Sequence, residues 1–99
     1  MKIEHVASWV SDPSAKRPFH SYFLSLDSGA RLELMVSPDE APRIAHIAVS
    51  VGSREAVDRM FQEMEAAGVR IISEPRLTGD GYYEAVVADP DGNLVEITS

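Results

Sequence analysis

At 99 residues, with 44% hydrophobic and 25% charged side chains, the chain has material for one folded domain and too little for two independent cores. Its net charge of -7 repels phosphate backbones and anionic lipid surfaces, so neither nucleic acid nor membrane is expected as a partner. It has no cysteine, which removes disulfides and thiolate metal sites.

The N-terminus, MKIEHVASWV, is too polar for a secretory signal, and no apolar run approaches a membrane span, so a cytoplasmic location is expected. Lys2 to Val10 reads as a strand, Ser11 to Pro18 as a polar, proline-bounded loop, and Phe19 to Leu26 as a second strand. The turn DSG (Asp27 to Gly29) leads into a third strand over Ala30 to Val36. SPDEAPR (Ser37 to Arg43), acidic and rich in proline, reads as a linker. Arg43 to Gly52 is enriched in β-branched residues and reads as a strand. After it, Ser53 is suited to cap a helix whose apolar residues Ala56, Val57, Met60, Phe61, Met64 and Ala67 recur at three-and-four spacing. Gly68 supplies the left-handed stop. Val69 to Ser73 is a strand, Glu74 to Gly81 a loop and Tyr82 to Asp89 a strand, and the turn PDG leads to a last strand in NLVEITS.

The chain repeats itself. KIEHVASWVS (Lys2 to Ser11) matches RIAHIAVSVG (Arg43 to Gly52) at an offset of 41, and FHSYFLSLDSGARLEL (Phe19 to Leu34) matches YYEAVVADPDGNLVEI (Tyr82 to Ile97) at an offset of 63. The jump of 22 residues between the offsets marks what the first half lacks, namely the helix and the strand after it. Each half is one supersecondary unit that cannot bury its face alone, so the two are expected to pair. Residues 1–36 form the shortened unit, 37–43 the linker and 44–99 the complete βαβββ unit.

Four polar residues fall at equivalent places: His5 and His46 on the first strand of each unit, Glu33 and Glu96 on the last. A lone strand histidine is usually hydrogen-bonded in a wall, and a lone strand-end glutamate is usually solvated. The paired placement is different, because polar groups repeated on a cavity face need something there to satisfy them. If the units pair about a pseudo-twofold axis, the four converge, and two imidazoles with two carboxylates suit a divalent ion such as Ni, Co, Fe, Mn or Zn. His20 aligns with Tyr83, has no acidic repeat partner and is read as a non-ligand. Trp9, on the face of His5, is a core filler or a substrate-binding pocket residue. LTGDGYY lacks the lysine and spacing of a phosphate cradle and is read as a hairpin bordering the cavity.

The segments KIEHVASWVSD, SYFLSLDSGARLELM, IAHIAVSVGSREAVD and EPRLTGDGYYEAVVADPDGNLVEI together resemble the vicinal oxygen chelate superfamily, in particular its glyoxalase I-like members. The resemblance implies an α+β fold of paired βαβββ modules, here with the first module lacking its helix and one strand. It implies metal ligands His5, Glu33, His46 and Glu96, and a small substrate bound through vicinal oxygens. It also implies Glu96 or Glu33 as the catalytic base of a lyase or isomerase working through an enediolate. A metal-free binding protein of the bleomycin-resistance type, with a cup shared between chains, is the competing reading. A degenerate unit kept for interaction only is a third.

In the family each module carries a helix on its outer face. The outer face of the second unit is read as Ala45, Ile47, Val49 and Val51, all apolar and covered by the helix, and that of the first as Glu4, Val6, Ser8 and Val10. The apolar remainder of the uncovered face, with Leu32 and Leu34, is expected to be buried by a partner chain in a homodimer or higher homo-oligomer.

Overall fold

The computed structural model describes residues 1–11, 20–25, 29–79 and 81–99. Among them the strands are β1 (Lys2–Trp9), β2 (His20–Leu24), β3 (Arg31–Val36), β4 (Arg43–Ser50), β5 (Arg70–Leu77), β6 (Tyr83–Ala88) and β7 (Leu94–Thr98), and the helix α1 (Arg54–Ala66) lies between β4 and β5. The loop read over Ser11 to Pro18 and the turn at Asp27 to Gly29 lie, but for Ser11 and Gly29, outside the described residues.

All seven strands form one sheet in the order β2-β3-β1-β4-β7-β6-β5. Its two halves repeat one scheme. β1 runs parallel to β3 as β4 runs parallel to β7, and β2 is antiparallel to β3 as β6 is to β7. The halves meet in the antiparallel pair β1–β4, which lies on the pseudo-twofold axis. Among the described residues β5 has no counterpart in the first half, β2 is an edge strand, and the fold is a shortened pair of βαβββ modules.

The helix begins where Ser53, extended at φ -159°, accepts a hydrogen bond from the Ala56 amide. It stops at Gly68, whose φ of +82° is reached without strain only by glycine. Val57 and Phe61 point inward onto Ala85, Val87 and Ile97, and this is the core of the second module.

Two expectations need correction. α1 packs on β5, β6 and β7 and has no comparable contact with β4, so Ile47 is 40% exposed where helix cover was expected, although Val51 does pack against the core. A single 13-residue helix is about 10 Å across, enough to cover two or three strands 4.8 Å apart and not four. β5 also continues through Glu74 to Leu77, a stretch read as loop. Pro75 is tolerated there because β5 is the sheet edge and one of its sides has no neighbour to bond.

Candidate metal centre

The four repeated polar residues sit on four adjacent strands, β3, β1, β4 and β7, and the pairing registers bring them to one face. Ala7 lies beside Glu33 on one side and His46 on the other, while Ala48 lies beside Glu96 and His5. Ala7 and Ala48 are completely buried and form the floor between the four groups. Larger side chains at these two positions would fill the space that the imidazoles and carboxylates face.

Both histidines present Nε2 to the centre, 3.1 Å apart. Glu96 Oε2 is 3.0 Å from His46 Nε2 and 3.7 Å from His5 Nε2, and Glu33 Oε1 is 3.6 and 3.8 Å from His5 and His46. Donor atoms bound at ~2.1 Å to one ion stand about 3.0 Å apart at right angles and about 3.4 Å apart at tetrahedral angles. The observed spacings bracket those values. The ligand atoms of His5, His46 and Glu96 all lie within 4.8 Å of one another; Glu33 stands outside that group of three, 3.6 and 3.8 Å from the two histidines. Two ring nitrogens at 3.1 Å cannot both present lone pairs to each other, so one carries a proton or both face a cation. The donor set therefore fits a divalent metal, and it comes entirely from one chain.

Electrostatics reflect the same crowding. Burial disfavours the charge on Glu96, but the His46 imidazole at 3.0 Å and the nearby His5 outweigh it and hold the carboxyl down at about 2. For His5 burial again opposes charge, and the neighbouring Glu96 carboxylate and the hydrogen bond to Glu4 overcome this, raising it above the ordinary histidine value.

Glu4 was read as an outer-face residue, and the structure overturns that. Ile3 pairs with Val49 and His5 with Ala48, so Glu4 is the extra residue of a β-bulge. The break in alternation brings its Oε1 to 3.2 Å from His5 Nδ1. The same oxygen accepts from Arg31 Nε at 3.0 Å, from Arg31 Nη2, and from the Tyr82 hydroxyl at 3.4 Å. Arg31 Nη2 also donates to that hydroxyl. The guanidinium lies 4.1 Å over the ring of Phe23, which stands perpendicular to the His5 imidazole at 5.5 Å. The sequence signal was present: Glu4 breaks the repeat, its equivalent being Ala45, and it directly precedes a candidate ligand.

Tyr82 belongs to the LTGDGYY hairpin, which does border the site; Thr78 and Tyr82 close it through backbone bonds. Trp9 is half-buried at the end of β1, in register with Met35 and Arg43. His20 packs edge-on against Tyr22 on β2, at 5.2 Å. An open groove of about 600 Å³, lined by Met64, Val69, Val87 and Val95 among others, shares no residue with the four groups. Chemistry argues for the polar cluster as the functional site, because the groove is lined mainly by apolar side chains, with only Arg70 and Asp89 charged.

Residues 6–97 match the model of the Glyoxalase/Bleomycin resistance protein/Dioxygenase superfamily. The chain belongs to this superfamily. It is similar to the Mn(II)-bound glyoxalase from Novosphingobium aromaticivorans at 26% identity and a TM-score of 0.71, covering 99% of this chain and 38% of that one. This superfamily member thus spans well under half of that glyoxalase. Methylmalonyl-CoA epimerase from Mycobacterium tuberculosis has the same fold at 19% identity and a TM-score of 0.73, over 98% of this chain and 86% of its own. The uncharacterized protein YqjT of Bacillus subtilis (strain 168) is 26% identical over 125 residues, covering 98% of each chain. That alignment is longer than the 99-residue chain, so the relative carries segments missing here.

Proposed function

We propose that the protein is a divalent-metal enzyme of the glyoxalase I type, a lyase or isomerase moving a proton α to a carbonyl in a small substrate with neighbouring oxygens. His5, His46, Glu33 and Glu96 would hold the ion. The observation that carries the reading is their convergence at 3.0 to 3.8 Å from equivalent registers of two half-sheets. When bound, the ion supplies Lewis acidity that polarises the substrate carbonyl and makes the adjacent C–H more acidic.

The chain's own groups divide the remaining work. Glu96 is held closely by His46 at 3.0 Å, whereas Glu33 stands at 3.6 Å or more from both imidazoles. Glu33 is therefore the carboxylate freer to swing toward substrate, take the α proton and return it to the neighbouring carbon. Glu96, kept ionised by its hydrogen bonds, is the fixed anion of the site. Phe23 and the Arg31 and Tyr82 side chains wall one side and limit water there. The fold relationship to both a glyoxalase and an epimerase supports proton transfer next to a carbonyl as the shared step.

The test begins with metal analysis of the purified protein and thermal shifts with Ni, Co, Zn and Mn. Deuterium wash-in from D2O is then followed at the α position of a hemithioacetal and of an α-hydroxyketone. The reading expects metal-dependent exchange that Glu33→Gln abolishes while metal stays bound. No bound metal together with no thermal shift from any of the four ions would refute it.

A further inference from the structure

The two half-sheets carry matching bulges. In β1 the extra residue is Glu4, immediately before His5. In β4 Ala7 pairs with His46 and Ser8 with Ile44, so the extra residue is Ala45, immediately before His46. One backbone device is therefore repeated with different side chains. The groups that surround Glu4 are equally one-sided: the repeat equivalents of Arg31 and Phe23 are Leu94 and Val86.

We propose that Glu4 is a positioning residue that fixes the tautomer and ring rotation of His5, making the two imidazoles of the centre unequal. This rests on the metal-centre reading above. A carboxylate oxygen 3.2 Å from Nδ1 accepts the Nδ1–H, which leaves Nε2 with its lone pair toward the centre. His5 is then the anchored ligand. His46, with an alanine in the same bulge position, keeps rotational freedom and adjusts as substrate enters.

Glu4 is itself immobilised. Arg31 holds its oxygen through Nε and Nη2 and neutralises its charge, so the carboxylate orients His5 without adding a net anion to the site. Arg31 opens β3 and Tyr82 precedes β6, four places apart in the sheet, or about 19 Å if the sheet were flat. Their side chains nonetheless touch, so the sheet is curled, and the Glu4–Arg31–Tyr82 cluster ties the first module to the second on the His5 side. No such tie is seen on the His46 side among the described residues.

The test uses Co2+ as both probe and spectroscopic label. Wild type, Glu4→Ala and Glu4→Gln are compared by calorimetric titration with Co2+ and by proton NMR of the Co2+ forms, in which ring N–H protons of ligating histidines are strongly shifted. Expected in the wild type is one ring N–H that exchanges slowly with D2O, from His5, and one that exchanges quickly. Glu4→Ala should weaken Co2+ binding by about 10- to 100-fold and make both protons exchange quickly. Glu4→Gln keeps an oxygen acceptor, so it should retain the slow proton with a smaller loss of affinity, and it serves if the alanine variant does not fold. Equal affinity and an unchanged slow proton in Glu4→Ala would overturn this proposal while leaving the metal reading intact. A wild type that takes up no Co2+ would remove both.

Discussion

Substituting Glu96 by Gln removes one charge from the centre and leaves its shape almost unchanged, so it isolates the electrostatics of the metal-free site. Glu96 falls from 4.5 to about 2 in the folded protein. With its side chain only 14% exposed, a displacement of that size corresponds to about 3 kcal/mol of stability, at ~1.4 kcal/mol per pKa unit. Because a depressed carboxylate stabilises the fold above its unfolded value, the contribution is present above pH 4.5 and is lost as the pH falls toward 2. The His5 partner is raised above 6.5, so its share is complete below pH 6.5 and fades as the pH rises through the folded value. The His5–Glu96 attraction enters both shifts and counts once, while Glu96 draws first on His46 and His5 draws also on Glu4. In EDTA the wild type should therefore exceed Glu96→Gln by the largest margin between pH 4.5 and 6.5. A difference of ~3 kcal/mol amounts to a Tm difference on the order of 10 °C for a domain this small. Thermal melts followed by circular dichroism from pH 2 to 8 read it directly. A Tm difference that stays flat across that range, or that grows toward pH 2, would show that the His–Glu attraction does not stabilise the metal-free fold.

Metal affinity should weaken on acidification, starting above pH 6.5, because the raised His5 holds a proton that the ion must displace; calorimetry in buffers of different ionisation enthalpy should show proton release. Phe61→Ala, emptying a position 8% exposed at the centre of the helix contact, should cost about 3–4 kcal/mol in urea unfolding without changing the donor set. Ser53→Ala removes the helix cap and should cost about 1 kcal/mol by the same measurement. Leu24, Leu32, Val6 and Ile47 pair in register across the bare outer face, which measures roughly 19 by 20 Å, or about 400 Å². That is about half of the ~800 Å² a stable partner covers, so a second copy should bind there only weakly. Light scattering should then show concentration-dependent association near tens of micromolar, abolished by Ile47→Lys.

The repeat made most of this fold readable. Lys2 to Ser11 and Arg43 to Gly52 align without a gap, and β1 and β4 occupy those stretches from their first residues. The same alignment pointed to His5, His46, Glu33 and Glu96, which come together because the strands that bear them, β3, β1, β4 and β7, flank the pseudo-twofold axis. What escaped depended on pairing between strands. Strict alternation assigned Glu4 to the wrong side because a bulge has no signature within its own strand; it exists only relative to Val49 and Ala48 opposite. Pro75 argued for a loop by its chemistry, and only its place at the sheet edge makes it a strand residue. The reach of α1 was overestimated for a similar reason: an apolar face such as that of β4 shows that cover is wanted, not that a particular helix provides it.

The strands that bear the four central groups are consecutive, β3, β1, β4 and β7, with β2 on one flank and β6 and β5 on the other. A deletion that takes a helix and a flanking strand therefore works like trimming planks from the end of a raft while its middle stays lashed. The shortened half keeps the β1–β3 register of the intact half's β4–β7 pair, residue for residue around the alanine floor. The inner four strands are accordingly a natural starting point for a smaller engineered metal scaffold, in which the flanks set solubility and substrate access and the middle keeps the binding geometry.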